Sequence, residues 1–307
     1  MQDKITQLLA EIQAGSFRAL ARGITMAEND LPGYESLLFQ LKNTDTARVV
    51  GITGPPGAGK STLVNALLHH WINTGKKIAV IAVDPSSPFN YGALLGDRIR
   101  MADFYNHPSV YIRSLATRGA LGGLHAKIIE ITDVVKQGPF DYILVETVGV
   151  GQSEVEIAGL ADCTIVALVP EAGDEVQTLK AGIMEIANIF VVNKADRDNA
   201  DTLYRNLRML AHERADGEEE TPVIKTIATQ KDGVAELADA IENYLKTHNS
   251  LPEKKLQLLT EKCWQLIQHQ QMKGYSKAKL LPGLKEAIQS PDFNLYQYTS
   301  KLVENNA

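Results

Sequence analysis

The feature of this sequence that most restricts its fold is a set of seven short runs of β-branched and other apolar residues. Helix-compatible stretches separate most of these runs. Between residues 48 and 227 the runs read RVVGIT, KIAVIAV, VYIRS, DYILVE, CTIVALV, NIFVV and PVIKTI. Nearly continuous apolar strands that alternate with helices are typical of a parallel sheet covered on both faces. We therefore predict an α/β fold with a mostly parallel central sheet flanked by helices. Ligands of such a sheet bind at the carboxyl ends of its strands.

Both ends of the chain carry apolar residues at three- and four-residue spacing, which predicts short helical extensions. We predict an N-terminal helical extension over residues 1–45, a central domain over residues 46–250 and a C-terminal helical segment over residues 251–307. Because the last segment is too short to bury a sizeable core by itself, we expect it to pack on the central domain or on a second subunit. We assign it to dimerisation.

The composition argues against several classes of protein. A formal net charge of −6 does not suit a general nucleic-acid binder, which needs a basic surface. The two cysteines, Cys163 and Cys263, lie far apart and in no C-x-x-C pair, so no disulfide framework or zinc knuckle is indicated. No apolar stretch approaches the roughly 20 residues of a membrane span, and the start of the chain has no secretory pattern. We expect a cytoplasmic protein without nucleic-acid or membrane partners.

The segment Gly54–Ser61, GPPGAGKS, matches the phosphate-binding P-loop pattern G-x-x-x-x-G-K-[ST] and lies between a predicted strand and a predicted helix. Its glycines let the backbone curl and direct N–H groups at phosphate oxygens. Pro55 and Pro56 have no N–H group, so the donors must begin at Gly57. The segment predicts a P-loop nucleotide hydrolase. The predicted phosphate-binding residues are Gly54, Gly57, Ala58, Gly59, Lys60, Ser61 and Thr62.

Side chains in this loop and at other predicted strand ends would complete a site for Mg²⁺ and the terminal phosphates. Lys60 would place its ammonium between the β- and γ-phosphates, and the Ser61 hydroxyl would bind Mg²⁺. Glu146 follows the strand DYILV, where a carboxylate would hold the metal directly or through water. Asp84 and Asp97 are further metal candidates, while an Asx turn at Asp84 and a helix cap at Asp97 stay open as alternatives.

The segment E-T-V-G at 146–149 takes the place of a D-x-x-G loop, so the Gly149 amide is predicted to sense the γ-phosphate. In Ras-like proteins a water-orienting glutamine follows this glycine, whereas here Val150 follows it and the nearest glutamine is Gln152. We therefore expect slow hydrolysis by the isolated protein. The predicted catalytic residues of these segments are Lys60, Glu146, Gly149 and Gln152.

The segment Asn193–Asp196, NKAD, follows the run NIFVV and matches the guanine-reading N-K-x-D pattern. The Asp196 carboxylate can accept hydrogen bonds from N1–H and from the 2-amino group of guanine, and adenine offers neither donor. A site of this kind discriminates by roughly 10³–10⁵. The Lys194 stem would lie against the base, and Asn193 would tie loops together. The sequence therefore predicts a GTPase that binds GTP and GDP in preference to ATP.

Several longer blocks resemble the MeaB/ArgK-type GTPases, which accompany adenosylcobalamin-dependent methylmalonyl-CoA mutase. The blocks are RALARGIT at 18–25, DPSSPF and GDxxRM within 84–101, RSxATRG at 113–119, VETVGVGQSE at 145–154, GDEVQTLKAG at 173–182 and VVNKAD at 191–196. The resemblance spans about residues 15–245, and the C-terminal tail matches only weakly. Ile227 stands where the family has a serine, which leaves the backbone amide of Ala228 to meet the guanine oxygen.

The resemblance implies a homodimeric G protein whose GTP state gates the loading of adenosylcobalamin into the mutase and the protection of the mutase. It also implies that Mg²⁺ is contacted by Ser61, Asp97 and Glu146. The segment 170–180 would be a third nucleotide-responsive switch. In that switch Lys180 would bring a cation toward the phosphates once a partner docks, which adds it to the catalytic candidates.

Two other classes of function stay open. A P-loop kinase of a small molecule or of a transport-system protein would need an acceptor pocket and an arginine-rich lid, for which Arg98, Arg100, Arg113 and Arg118 are available. A nickel- or zinc-delivery GTPase would need clustered thiols or imidazoles, and the seven histidines are scattered along the chain. The N-K-x-D pattern favours the GTPase over the kinase.

Overall fold

The computed structural model describes ten stretches of the chain, which leave out short segments between them. They are residues 2–42, 47–84, 101–117, 124–149, 153–171, 183–215, 220–248, 253–271, 277–290 and 293–304. The chain divides into two compact units, Met1–Leu258 and Leu259–Ala307. The candidate site lies in the first unit.

The first unit is built on a sheet in which the described residues form seven parallel strands, in the order β3-β2-β4-β1-β5-β6-β7. The strands are β1 (Arg48–Thr53), β2 (Ile78–Asp84), β3 (Val110–Ala116), β4 (Tyr142–Glu146), β5 (Cys163–Leu168), β6 (Ile189–Asn193) and β7 (Val223–Thr226). Each predicted run overlaps one of these strands, so the predicted fold class is confirmed. The central strand β1 lies between β4 and β5 and leads into the P-loop.

Helices flank the sheet and form both ends of the chain. In the first unit they are α1 (Gln2–Gln13), α2 (Phe17–Glu28), α3 (Tyr34–Phe39), α4 (Lys60–Asn73), α5 (Ile128–Val135), α6 (Ser153–Leu160), α7 (Ile183–Ile186), α8 (Ala200–Ala215) and α9 (Val234–Thr247). The remaining described helices are α10 (Glu253–Gln271), which spans the boundary between the units, α11 (Lys277–Ala287) and α12 (Leu295–Glu304).

The two faces of the sheet bury separate apolar cores. Because successive side chains of a strand point to opposite faces, Val50 and Ile52 of β1 pack toward α4 and α9, and Val49 packs toward the N-terminal helices, α5 and α6. Trp71 of α4 is fully buried in the first of these cores, and its ring stacks on Tyr142 with centroids 4.4 Å apart. Helix α4 is thereby fixed against the sheet from the P-loop onward.

The N-terminal helices belong to the first unit and complete the second core. Leu20 of α2 and Leu37 of α3 are buried in the same cluster as Val134 of α5. Helix α2 begins after Ser16, whose hydroxyl accepts a hydrogen bond from the Ala19 N–H at 3.2 Å and caps the helix. The N-terminal extension is therefore helical, as predicted, and it shares a core with the sheet.

The described part of the second unit is helical, as predicted for the C-terminal extension, and exposes many large apolar side chains. Trp264 is 57% exposed and Tyr296 is 84% exposed. The other exposed large apolar residues of this unit are Leu259, Leu266, Ile267, Leu281, Ile288 and Leu295. Apolar surface of this kind is typical of a region that another molecule covers. The dimerisation role stays a prediction.

None of the described helices combines the length and the apolarity that crossing a bilayer requires.

Candidate nucleotide-binding site

Three polar residues at the carboxyl ends of strands face the same side of the sheet as α4. Glu146 is the register partner of Ile52 on β1 and of Ala82 on β2. Asp84 lies two residues beyond Ala82, so it points to the same face as Glu146. Asn193 ends β6 on that face. The folded sheet therefore brings motif residues from distant parts of the chain to one edge, next to the P-loop.

Two glycines shape the loop that follows β1. Gly54 and Gly59 have φ angles of 139° and 82°, in the region that residues with a Cβ rarely adopt. A Cβ at Gly54 would overlap the carbonyl oxygen of Ala167, and a Cβ at Gly59 would overlap the side-chain amide of Asn193. The loop therefore lies directly against β5 and against the start of the N-K-A-D segment.

The N-terminus of α4 lies inside the motif. Its first turn closes with a hydrogen bond from the Leu63 N–H to the Gly59 carbonyl at 2.9 Å, and the Ala58 N–H donates to the Pro55 carbonyl at 3.1 Å. The amides of residues 60–62 precede that first helical bond. They lie at the helix end where N–H donors and partial positive charge collect. Such an end is suited to bind phosphate.

The Lys60 side chain is buried and bridges two loops. Its Nζ donates to the carbonyl oxygens of Gly54 at 2.8 Å and Pro55 at 3.1 Å, both in the P-loop. It also donates to the carbonyl oxygen of Val148 at 3.5 Å, in the E-T-V-G segment. The predicted phosphate-binding cation therefore contacts the loop that contains the predicted γ-phosphate sensor.

The hydroxyl of Ser61 and the carboxylate of Glu146 are in direct contact. Ser61 Oγ donates to Glu146 Oε1 at 2.7 Å, and both side chains are buried. Asp84 is also buried, at the end of the adjacent strand. Oxygen donors of this kind bind Mg²⁺, and a metal that also contacts substrate phosphates needs no more than one or two carboxylates. The donor set therefore fits Mg²⁺.

Asn193 joins three loops through one side chain. Its Nδ2 donates to the Ala58 carbonyl of the P-loop at 2.9 Å. Its Oδ1 accepts hydrogen bonds from Thr226 Oγ1 at 3.1 Å and from the Ala228 N–H at 3.3 Å. Asn193 is 2% exposed. The predicted phosphate and guanine segments are therefore connected before any ligand is considered.

The rest of the N-K-A-D segment is a solvent-facing turn. Lys194 has a φ of 55°, and its carbonyl accepts the Arg197 N–H at 3.0 Å. Asp196 is exposed. Arg197 pairs with Glu171, and this hydrogen bond holds the pKa of the Glu171 carboxyl below its ordinary value. The base end of the site therefore has an exposed carboxylate, Asp196, and a partly exposed lysine, Lys194.

Three buried threonines support these loops, and the sequence motifs do not predict them. Thr226 orients the Asn193 amide through its hydroxyl. Thr53 and Thr147 have hydroxyl oxygens 2.8 Å apart in the interior. Each of the three lies at a strand end or directly after one, which is the signal that the sequence offers. The contacts themselves depend on strand register.

Arg113, a candidate for the lid of a kinase, is engaged by helix α2 in the structure. Its guanidinium donates to Glu28 Oε2 at 2.5 Å and to Thr25 Oγ1 at 3.3 Å, both on α2. This ion pair fixes α2 to β3. The other three lid candidates, Arg98, Arg100 and Arg118, lie outside the described residues.

Three of the predicted site residues also lie outside the described residues. They are Asp97, Gln152 and Lys180. The other predicted side chains and amides lie in or beside the P-loop and the loops that follow the carboxyl ends of the strands. Among the described residues as a whole, no group of three or more His, Cys, Asp or Glu side chains is arranged to hold a metal.

The fold and the site define a P-loop nucleotide-binding protein with a guanine-type loop. The chain belongs to the MeaB/ArgK family of P-loop GTPases: the family model described as "Methylmalonyl Co-A mutase-associated GTPase MeaB" matches residues 20–279.

Similar proteins agree with this assignment. A protein named as a GTPase from Pyrococcus abyssi is 45% identical over 271 residues, which cover 86% of this chain and 84% of that protein. The Escherichia coli protein named GTPase ArgK is 33% identical over 98% of this chain and 92% of its own. The crystal structure of a protein named LAO/AO transport system kinase superimposes with a TM-score of 0.70 at 27% identity, covering 99% of this chain and 93% of that one.

Proposed function

We propose that this chain is a Mg²⁺-dependent GTP hydrolase that acts as a G-protein chaperone for an adenosylcobalamin-dependent acyl-CoA mutase, with methylmalonyl-CoA mutase as the expected partner. It gates the loading of adenosylcobalamin into the mutase and the protection of the mutase. The observation that carries the proposal is the Asn193 side chain, which joins the phosphate loop to the guanine loop. The family description supports the choice of partner.

In the GTP complex, the Lys60 ammonium exchanges its carbonyl partners for oxygens of the β- and γ-phosphates. Such an exchange keeps a buried charge hydrogen-bonded in both states, which avoids the cost of leaving it unpaired. The amides of Gly57 and of residues 59–62, at the N-terminus of α4, hold the remaining phosphate oxygens. The Ala58 amide donates to the Pro55 carbonyl at 3.1 Å, so its proposed contact with a phosphate oxygen would be made by a bifurcated bond or after a small shift. Gly54 contributes by letting the loop approach β5 closely.

Ser61 and Glu146 are the residues that would hold Mg²⁺, with Asp84 and Asp97 as further ligands or partners of its waters. When bound, the metal neutralises charge on the β- and γ-phosphates. The chain's own contribution is to keep the Ser61 hydroxyl and the Glu146 carboxylate together, at 2.7 Å, in a buried position.

At the other end of the nucleotide, Asp196 reads the guanine N1–H and 2-amino groups, and the Lys194 stem lies along the base. Asn193 keeps this turn next to the P-loop. Ala228 donates its N–H to Asn193 Oδ1 at 3.3 Å, so its proposed contact with the guanine oxygen would be made by a bifurcated bond or after a small shift.

Hydrolysis by the isolated chain is slow in this proposal because the residue after Gly149 cannot orient water. The Gly149 amide senses the γ-phosphate, and Gln152 or a partner orients the attacking water. Lys180 supplies a cation when the mutase docks, and groups added in this way contribute about 10³–10⁵ to the rate of phosphoryl transfer. The exposed apolar side chains of the C-terminal unit are covered by a second copy of the chain.

A P-loop kinase is the second candidate, and it is favoured by the similarity to the solved protein named LAO/AO transport system kinase. A kinase would use ATP or GTP to phosphorylate an acceptor, whereas the GTPase releases inorganic phosphate into solution. The engagement of Arg113 by Glu28 removes one arginine from the proposed lid.

Calorimetry with GDP, ADP, GTP and ATP, followed by phosphate release with and without purified methylmalonyl-CoA mutase, tests the proposal. We expect guanine nucleotides to bind at least about 10³-fold more tightly than adenine nucleotides. Basal phosphate release should be slow and the mutase should accelerate it. Comparable affinity for ATP and GTP would reject the GTPase and favour the kinase.

The same assay separates GTP hydrolysis from the chaperone role. The variant Lys180→Ala should bind GDP as the wild type does but lose the acceleration by the mutase. Equal acceleration of both proteins would contradict the role of Lys180. The absence of any acceleration of the wild type would contradict the choice of partner while leaving GTP hydrolysis intact.

A further inference from the structure

Two threonine hydroxyls meet in the interior where β1 and β4 end. Thr53 is 0% exposed and Thr147 is 1% exposed, and their Oγ1 atoms are 2.8 Å apart. Strand alternation places both on the side of the sheet opposite α4, above the core that contains Val49 and Val145. The pair therefore lies behind the nucleotide edge of the sheet.

The burial of two hydroxyls in an apolar core has little value for stability by itself. A valine has nearly the same shape as a threonine, and replacing both partners of a buried hydrogen bond by apolar groups is close to neutral. One threonine without the other would leave a buried hydroxyl unpaired, which is costly. The pair therefore acts as a matched connection between two segments.

The two segments are the ones proposed to hold the phosphates and the metal. Thr53 directly precedes Gly54, the first residue of the P-loop. Thr147 directly follows Glu146, and its N–H donates to the Ile52 carbonyl at 3.1 Å, which extends the β1–β4 ladder by one residue. The hydroxyl pair thus fixes the point at which both loops leave the sheet.

Beyond this point the two loops touch. A Cβ at Gly149 would overlap the Gly54 carbonyl oxygen, so the backbone of the E-T-V-G segment lies directly on the P-loop. Lys60 also joins the two, through Gly54 and Val148. A rotation of the 147–149 backbone would therefore shift the Glu146 carboxylate and the Gly149 amide relative to Ser61 and Lys60.

We infer that Thr53 and Thr147 are positioning residues that hold Glu146, the proposed metal ligand, and the Gly149 amide, the proposed γ-phosphate sensor, in register with the P-loop. They do not touch the nucleotide themselves. The inference deepens the proposed function and rests on it, because it concerns the γ-phosphate and Mg²⁺ end of the same site. The loss of the pair should weaken binding of Mg-GTP and leave GDP binding without metal almost unchanged.

The test measures dissociation constants of fluorescent GDP without Mg²⁺ and of a non-hydrolysable GTP analogue with Mg²⁺. In Thr147→Val, and in the double variant Thr53→Val with Thr147→Val, we expect analogue affinity to fall by about five- to tenfold, the loss of one buried hydrogen bond. GDP affinity should change by less than about twofold, because the base and β-phosphate contacts are kept. Thr147→Ser, which retains the hydroxyl, should restore analogue binding.

The double variant leaves no buried hydroxyl unpaired, so we expect it to stay folded even where the single variant does not. Thr132 of α5 supplies the control, because among the described residues this buried hydroxyl has no hydrogen-bond partner and lies away from the motif. Thr132→Val should leave both affinities unchanged.

Two results would overturn the inference. In the double variant, an equal loss of affinity for the analogue and for GDP would show that the pair has only a structural role. Unchanged affinities for both ligands would show that the pair does not affect binding. A wild-type chain that binds neither guanine nucleotide would reject the proposed function and, with it, the inference. If the wild-type chain binds both guanine nucleotides and the variants bind them equally well, the inference is rejected but the proposed function is not.

Discussion

The phosphate end of the site and its base end differ in how much of each is buried. At the phosphate end Lys60, Ser61 and Glu146 are buried and hydrogen-bonded to each other or to loop carbonyls. At the base end Asp196 is exposed and Lys194 is partly exposed in a left-handed turn. Buried, hydrogen-bonded groups are in place before a ligand arrives, whereas exposed side chains lose freedom when they bind. We therefore expect the phosphate end to control rate and the base end to control selectivity.

The largest effect should come from the phosphate end. Lys60→Ala removes the cation proposed to lie between the β- and γ-phosphates, so single-turnover hydrolysis of saturating GTP should fall by at least about 10³-fold. The control Lys246→Ala removes an exposed lysine of α9 and should hydrolyse GTP normally. Normal turnover in Lys60→Ala would show that the loop has no part in catalysis.

A smaller effect, confined to selectivity, should come from the base end. Asp196→Asn removes the acceptor for the guanine N1–H and 2-amino groups, so GDP affinity should fall by about 10²–10³-fold and xanthine nucleotides should bind better. Turnover at saturating nucleotide should stay close to that of the wild type. Calorimetry with GDP and XDP measures the change.

The neighbouring exposed carboxylate serves as the control for that change. Asp198→Asn alters the same charge two residues away and should retain GDP selectivity. If both variants lost selectivity equally, net charge rather than base reading would explain the effect.

Asn193 contacts both the phosphate end and the base end of the site, so its removal should weaken nucleotide binding through both ends. Asn193→Ala leaves the Ala58 carbonyl and the Thr226 hydroxyl without their partner, so the free energy of unfolding should fall by about 2–4 kcal/mol. The affinities for GDP and for a Mg-bound GTP analogue should fall together, by about tenfold. Denaturant unfolding and calorimetry give the two numbers.

Asn188 provides a matched asparagine at the opposite edge of the sheet. Its Oδ1 accepts the Thr164 N–H at 2.8 Å and its Nδ2 donates to the Tyr244 hydroxyl at 2.6 Å. Asn188→Ala should lower stability comparably and leave nucleotide affinity unchanged. Loss of affinity in this control would mean that general destabilisation explains the Asn193 result.

The smallest effect should come from the exposed ion pair beside the guanine turn. Glu171→Gln weakens the pair with Arg197, and because such surface pairs contribute little, GDP affinity should change by less than about threefold. Asp201→Asn, at the equally surface-placed pair with Lys225, is the control and should have no effect on GDP.

The pH dependence of the Glu171–Arg197 pair has a defined sign. The folded-state pKa of Glu171 lies below its ordinary value because of the Arg197 hydrogen bond. The contribution of the pair is therefore complete above that ordinary value and is lost as the pH falls through the lowered pKa. We therefore expect the GDP affinities of the wild type and of Glu171→Gln to differ at neutral pH and to become equal in acid. A difference that appears only in acid would contradict this expectation.

The sheet was predictable because five of its seven described strands are buried along nearly their whole length. A buried strand reads as a continuous apolar run, and KIAVIAV at 77–83 corresponds to β2 at Ile78–Asp84 within one residue. The run VYIRS ends at Ser114, whereas β3 continues to Ala116. The local pattern shows where a strand exists better than where it stops, because its end depends on the neighbouring strand.

The motifs were predictable for the same local reason, whereas the contacts that support them were not. GPPGAGKS and NKAD are each contiguous, but the Asn193–Ala58 hydrogen bond joins residues 135 positions apart and the Thr53–Thr147 pair joins residues 94 positions apart. Arg113 is a similar case: its role depends on α2 covering β3, which spacing along the chain does not reveal.

The distance in sequence between Ala58 and Asn193 also sets an order of events during synthesis. A ribosome adds about 5–20 residues per second, so roughly 7–27 s separate the emergence of the P-loop from that of its connecting asparagine. For most of this interval β1 lacks its neighbour β5 and the loop lacks the Ala167 carbonyl, and until the interval ends the loop also lacks the Asn193 amide against which Gly59 later packs. Nascent chains should therefore gain nucleotide binding abruptly, once β6 and β7 have left the exit tunnel, and free GTP would then favour completion of the fold by mass action.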